Sequence, residues 1–406
     1  MMMTAHLTSW AAQADSTTND ETIKIYINCL STSCDLDFIR SEITFVNYVI
    51  DRKDADVHIL ITSQRTGSGG SEYTLTYIGE NAFESKNDTL TFTTQQDETA
   101  DDIRNKMVKN LKMGLMQYVA RTPVADQISI SYTKAREVMV MEDKWKNWVF
   151  GVQLSGYCNI EKSTKYYSYS GNVSANRITE NWKIRLSGSA SHSDQKFTVG
   201  SVTLSNPSDS KNFNALVVKS LTNHWSIGLS GRINSSTYSN IKAAYRIMPA
   251  VEYNLFPYSE STRRELRFLY SIGLQNVHYD EITIYDKSKE NLLQEILDIA
   301  LELKQPWGTI GTTLSYSHYF HDFSKENLSL YSELSLRLFK GFSLNLYGII
   351  QMIHDQLALP KRNYTTEEIL LQRRQLETQY FYYASIGIRY TFGSIYNNIV
   401  NPRFGN

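Results

Sequence analysis

From Trp145 to Phe392 the chain is written almost wholly in period two, and its segments are long. The stretch HWSIGLSGRINSS, His224–Ser236, sets the pattern. Trp225, Ile227, Leu229 and Ile233 fall on one side of an extended chain, and Ser226, Ser230, Arg232 and Asn234 on the other. That alternation predicts a strand with one apolar and one polar face. Twelve such strands are expected, at roughly 148–160, 165–177, 182–198, 210–222, 225–236, 240–255, 264–278, 290–304, 308–321, 326–338, 341–354 and 379–392. Soluble strands commonly run about five or six residues, whereas a tilted membrane strand needs about 9–11. Segment length therefore favours a sheet that crosses a membrane. The chain has no apolar run long enough for a membrane helix, so a crossing must be made by a closed barrel, since lipid satisfies no open sheet edge.

The connectors point the same way. Alternate links are short and carry turn residues: ITEN, TNH, LFPYSESTRR, QPWG and FKG. The others are more variable, and the link from Asp355 to Thr378 is long. Short turns on one side with longer loops on the other are the pattern of outer-membrane barrels. An even strand count leaves both termini on the short-turn side, the periplasm. KENLLQEILDIALELK also has helical spacing, at Leu293, Ile296, Leu297, Ala300 and Leu301. It is read as a strand because twelve strands satisfy that parity. Pro249 is a misfit inside a strand, since it donates no ladder bond.

Compared across strands, one face carries Trp182, Ile184, Leu186, Tyr245, Ile247, Leu266, Phe268, Leu334, Leu336, Phe342 and Leu344, with Trp and Tyr toward strand ends. The other carries Lys183, Arg185, Lys219, Arg232, Arg246, Arg267, Arg337 and Arg389, with Glu252, Glu265, Asp298, Glu302 and Glu333. In a barrel the first face meets lipid and the second lines a lumen. Lys183, Arg185, Lys219, Arg232, Arg246, Glu252, Arg267, Glu333, Arg337 and Arg389 are the expected lumen residues. Ion pairs could fill so narrow a lumen; a surplus of Arg and Lys would instead favour anions.

Residues 22–135 read as a separate α/β domain in the order β-α-β-β-β-α. TIKIYINCL, DVHILIT, EYTLTYIG and TLTFTTQ are its strands. Phe38, Ile39, Ile43, Val46 and Ile50 predict one helix. ETADDIRNKMVKNLKMGLMQYVART predicts a second, capped by Thr99 and closed before Pro123. This order implies a sheet with helices packed on one face. Cys29 and Cys34, five apart, can pair in an oxidising compartment or remain free thiols at a strand end. WAAQA near the start looks like the cleavage region of a secretory signal, but the charged start and apolar core are missing. Residues 1–21 are expected to be a signal remnant or unordered, 22–135 the domain, 145–393 the barrel and 394–406 a tail.

Two stretches carry a family resemblance. YFYYASIGIRYTFGS looks like the closing strand of Gram-negative outer-membrane barrels, the strand engaged by the barrel assembly machinery, although here the chain continues to Asn406. ADVHILITSQRTGSGG, Ala55–Gly70, is similar to a segment in uncharacterised outer-membrane barrel proteins of Bacteroidota, where a small periplasmic domain precedes the barrel. The resemblance covers residues 22–406. It implies an outer-membrane location, contact with membrane lipid and a periplasmic-side domain, and no reaction.

Chemistry-bearing motifs are sparse. RTGSGG, Arg65–Gly70, lacks the Lys of a phosphate loop and lies between two strands, so it reads as a hairpin turn. His192, His278, His318, His321 and His354 fall late in odd-numbered strands, beside acids. A metal rim of His278, His318, His321 and His354, or an acid–base pair for surface hydrolysis, is one reading; a hydrated polar rim is the plainer one. Nothing resembles the Ser-His signature of outer-membrane phospholipases, and no catalytic residue or cofactor is expected. The net charge of −1 gives no pull toward nucleic acid. Arg104, Lys106, Lys109 and Lys112 offer a docking face for a periplasmic partner, or simply a solvated helix surface. The leading expectation is a non-enzymatic barrel anchoring a periplasmic interaction domain. A small anion-preferring channel and a surface hydrolase are the alternatives.

Overall fold

A computed structural model describes residues 22–30, 34–67, 69–131, 143–199, 202–361, 375–394, 396 and 398. The signal-like start and most of the tail after 394 lie outside these residues. The chain is mainly β, with a small N-terminal α/β region and a twelve-stranded antiparallel sheet.

The first sheet has the order β2-β1-β3-β4-β5. Its strands are β1 (Lys24–Cys29), β2 (Asn47–Tyr48), β3 (Val57–Arg65), β4 (Ser71–Gly79) and β5 (Asp88–Thr93). Helices α1 (Leu36–Glu42) and α2 (Ala100–Val119) cover one face. Ile25, Ile59 and Leu75 from the strands pack there with Ile39, Leu111 and Leu115 from the helices. Helix α2 starts as its sequence predicts, with Thr99 and Asp102 forming a reciprocal capping box. Helix α1 is shorter than its spacing predicts. It stops at Glu42, and Asn47–Tyr48 instead pairs with β1 in parallel. The β-branched run Ile43–Thr44 and Val46 favours extended backbone, and the edge of β1 offers it ladder bonds. Cys29 and Cys34 are disulfide-bonded, which leaves Cys158 free and exposed.

Gly114 marks the closest approach of α2 to β4. A Cβ there would lie 2.1 Å from Cζ of Tyr77. Tyr77 is fully buried, and its hydroxyl donates to the Asn110 carbonyl at 2.9 Å. Alanine gains about 1 kcal/mol over glycine in a helix. Overpacking costs about 1–3 kcal/mol, and Tyr77 cannot retreat without losing its bond. Gly114→Ala is therefore expected to destabilise the domain, seen as faster limited proteolysis of its strands; unchanged proteolysis would refute the tight contact.

The second sheet comprises β6 (Trp148–Ile160), β7 (Thr164–Ile178), β8 (Trp182–Val199), β9 (Val202–Ser220), β10 (Trp225–Ser236) and β11 (Ile241–Asn254). It continues with β12 (Arg264–Tyr279), β13 (Lys289–Gln305), β14 (Gly308–Tyr319), β15 (Asp322–Phe339), β16 (Phe342–Ile353) and β17 (Tyr380–Tyr390). All twelve expected strands are present, and KENLLQEILDIALELK is a strand. Each pairs with its sequence neighbours, so β6 and β17 are the two ends of the hydrogen-bonded order. Pro249 pairs with Leu229 of β10, while the ladder to β12 skips from Ile247 to Ala250, which spares its missing N–H. The expected loop asymmetry takes another form. The β14–β15 connection is tight, and β8 and β9 extend as a hairpin of 18 and 19 residues through 198–210, a segment whose sequence allows an extra hairpin beyond the two expected strands. Only the link after β16, residues 354–379, is long; the links after β11 and after β12, on opposite ends of the sheet, are nine residues each.

Candidate functional site

Cross-strand register sorts the side chains of the large sheet. Trp225, Ile227, Leu229 and Ile233 of β10 share a face with Tyr253, Val251, Pro249 and Tyr245 of β11. This face is exposed: Ile247 is 51% and Leu274 59% accessible. Arg232 lies on the other face, opposite Asn214 and Arg246, and its Nε donates to Asn214 Oδ1 at 2.9 Å. Lys183, Arg185, Glu252, Arg267, Glu333, Arg337 and Arg389 also have the parity of the charged face.

Lys219 does not. It pairs with Trp182 and Ile227, so it lies on the apolar face, its Nζ 5.6 Å from the Trp182 ring centroid. Leu216, Val217 and Val218 run unbroken before it, which erases the alternation that would have placed it. At a strand end, a lysine can lay its stem on apolar surface and keep its ammonium in water.

The ion pairs of the charged face run along the wall. Arg267 lies 3.4 Å from Glu265 and 3.9 Å from Glu252, and Glu252 also accepts from the Tyr258 hydroxyl at 2.8 Å. No ion pair among the described residues engages Lys183, Arg185, Arg232, Arg246 or Arg389. Arg232 directly opposite Arg246 is a like-charge pair, an arrangement that costs stability unless an anion or water intervenes.

At the end of the sheet bearing the long link after β16, a second core forms. Leu357 packs with Ala244, Val277, Leu292 and Tyr319. Asn240 fastens this segment by donating to the carbonyls of Ala358 (2.8 Å) and Glu281 (3.1 Å). The chain after β16 thus folds over the sheet rather than away from it.

At the short-turn end, the N-terminal domain meets the sheet. Arg337 Nη2 donates to Asn28 Oδ1 at 3.1 Å, and its guanidinium lies 4.9 Å from the Tyr26 ring centroid. Asp51 accepts from the Gly341 amide at 2.5 Å, and Asp54 pairs with Lys340 at 2.6 Å. A Cβ on Gly67, in the β3–β4 turn, would meet Ile178 of β7 at 2.6 Å. The joining face of the domain is the one opposite its helices: Tyr26 and Asn28 on β1, and His58, Leu60 and Thr62 on β3. His58 is fully buried, and neither ring nitrogen has a hydrogen-bond partner. Burial first, then the nearby Arg337 and Arg52 guanidinium groups, hold it down to about 3. It is neutral at physiological pH.

The four rim histidines are not brought together, and among the described residues no cluster of three metal-ligating groups forms. His278 lies beside Lys289 and Ala243. His318 is buried on the apolar face, its ring 4.7 Å from Phe323 and its Nε2 3.4 Å from Glu295. His354 approaches Glu326 at 4.0 Å, and His321 lies against the Tyr319 ring, beside Asp322. A strand displays alternate residues on one face, and β13 and β15 place Glu295 and Glu326 between these histidines. On α2 the basic face is largely occupied: Arg104 pairs with Asp101, Lys106 with Glu98 and Lys112 with Glu42, while Lys109 is exposed. RTGSGG is a hairpin turn between antiparallel strands, closed by Thr66 N donating to the Gly70 carbonyl at 3.1 Å.

No family model matches the chain, and no curated protein matches it. Among solved structures, CdiB from Acinetobacter baumannii is similar with 7% identity and a TM-score of 0.28, over 91% of this chain and 74% of that one. A likeness that loose leaves the argument to the chain's own residues.

Proposed function

We propose that the chain is an outer-membrane β-barrel protein of the Gram-negative envelope, non-enzymatic, with its N-terminal domain seated in the periplasm against the short-turn mouth. The observation that carries this is the exposed apolar face that runs across adjacent strands from Trp225 to Leu274, with Arg232, Arg246, Glu252 and Arg267 on the opposite face. Soluble monomers rarely expose contiguous apolar patches beyond a few hundred Å²; lipid covers such a face at no cost. Closure of β6 on β17 would complete the ladder and remove both edges. Membrane lipid is the first partner, and the assembly machinery would engage β17 during insertion.

The lumen in this reading is blocked at both ends, by the Leu357 segment and by the domain. The barrel then holds the domain in place instead of conducting. A narrow anion path is the second reading, favoured by the five unpaired cationic side chains and the opposed Arg232 and Arg246. Protein extracted from membranes should shift on a gel after boiling, as closed barrels do, and the full chain should be silent in planar bilayers. Exposed ion pairs are worth about 0–1 kcal/mol each, so one substitution at the joint would change little. The combined variant Asp51→Asn, Asp54→Asn, Arg337→Ala is expected to loosen the domain, seen as faster limited proteolysis, and to stay silent in bilayers while the Leu357 segment holds the other mouth. No heat shift and recovery in the soluble fraction would end the membrane reading. Anion-selective steps from the unaltered chain would replace the anchor with a channel.

A further inference from the structure

Between the domain and the ends of β15, β16 and β17 lies a cleft of 390 Å³. Arg52 and Lys53 line it from the domain, and Arg337, Lys340 and Arg389 from the sheet. Its two carboxylates are already engaged. Asp51 accepts from the amides of Gly341 and Lys53, and Asp54 holds Lys340. No ion pair among the described residues takes up Arg52, Lys53 or Arg389. The cleft therefore holds a surplus of positive charge beyond its two engaged carboxylates.

One wall of the cleft is aromatic. Phe339 and Phe342 stack at 4.5 Å, Phe342 lies 6.5 Å from Tyr390, and Tyr390 5.5 Å from Phe392. Phe339 is 54% and Phe392 82% exposed. These rings stand at the short-turn margin of the apolar face, where Phe342 pairs with Tyr390. An anion site needs no such wall, and a bare interfacial girdle needs no cationic pocket behind it.

We propose that this cleft binds the phosphate of an anionic phospholipid headgroup, with the acyl chains descending along the aromatic wall. Arginine forks match phosphate oxygens two at a time. Aromatic rings at the headgroup level cover the first methylenes of the chains. The domain supplies Arg52 and Lys53 and the sheet supplies Arg389, so the lipid bridges the joint and seats the domain. This rests on the membrane reading. The test is therefore run only on full-chain protein that shows the heat shift, so a failed barrel and a failed site give different results.

The probes are phosphatidylglycerol, phosphatidylcholine and inorganic phosphate, and the readout is lipid occupancy by native mass spectrometry. One phosphatidylglycerol is expected to bind in preference to phosphatidylcholine and to resist excess inorganic phosphate. Arg389→Gln and the pair Arg52→Gln, Lys53→Gln should each weaken it by about tenfold or more, the loss of a charge-assisted contact. Because the two variants alter opposite walls, misfolding of one leaves the other to decide. Equal binding of the two lipids, or unchanged affinity in both variants, would overturn the site. Displacement by inorganic phosphate would assign it to soluble phosphate and overturn the lipid.

Discussion

A single cysteine introduced into β17 is expected to crosslink to Cys158 under mild oxidation, in membranes, without a spacer. Cys158 is free and exposed, and the other two cysteines are bonded to each other, so one new thiol has one available partner. On β6, Cys158 pairs with Tyr167 and has the parity of Val152, Leu154 and the apolar face. On β17, that parity belongs to Tyr380, Tyr382 and Ala384, since Tyr382 pairs with Ile350 of the apolar face. β6 enters from the domain side and β17 starts at the opposite end, so closing them is antiparallel and sets Cys158 near the start of β17. Directly opposed residues place their Cβ atoms about 4.5–5.5 Å apart, close to what a disulfide spans. One of Tyr380→Cys, Tyr382→Cys and Ala384→Cys should give near-complete crosslinking and a faster-migrating band. Phe381→Cys, of opposite parity, should give none. Failure of all three in membrane-inserted protein would refute a β6–β17 seam.

The second large effect is acid loosening of the domain through His58. Its pKa in the folded chain is about 3 against 6.5 when free, so the folded state resists the proton that the unfolded state takes up. The stability this contributes is fully present above pH 6.5 and is lost progressively as pH falls toward 3. At one pH unit per 1.36 kcal/mol, the loss by pH 5 is about 2 kcal/mol. Glu98, held below its ordinary range by Lys106, and Asp102, held down by Thr99, act in the same direction. Their windows open only below their ordinary values of 4.5 and 3.8, so pH 5 isolates the histidine. Thermal unfolding of the domain should fall by several degrees between pH 7.5 and 5, and His58→Leu should flatten that difference. Equal falls in the two proteins would remove His58 from the account.

The large sheet was legible because lipid-length strands repeat one binary rule many times, so an error in one segment is outvoted by its neighbours. Where the rule breaks, the reading broke. Leu216–Val218 carries no period, so the alternation predicts a lumen position for Lys219 while the register sets it on the apolar face. Ile43, Val46 and Ile50 keep helical spacing beyond the end of α1 at Glu42, where an open sheet edge claims Asn47 and Tyr48. The joint was illegible for a different reason. Arg337 and Asn28 meet across 309 residues, and Asp51 and Asp54 read in sequence as ordinary turn acids. One signal was present. DVHILIT is apolar at nearly every position, the mark of a strand buried on both faces, and one of its faces had no helix to bury it.

The last residues described lie on the first sheet. Asn398 Oδ1 accepts from the Tyr48 amide, Asn398 Nδ2 donates to Asn47 at 2.9 Å, and Tyr396 bridges to Val49. These bonds cover the edge of β2, the side of the small sheet that would otherwise offer unpaired amides to any passing strand. The covering segment is synthesised some 350 residues after the edge it protects. During synthesis that edge stays open, and only completion of β17 brings its cover within reach. A chain truncated before residue 394 would keep its core, its disulfide and all its strands, yet carry a permanently sticky edge. The segment is in effect a seal applied late, and its loss would be felt as aggregation rather than as unfolding.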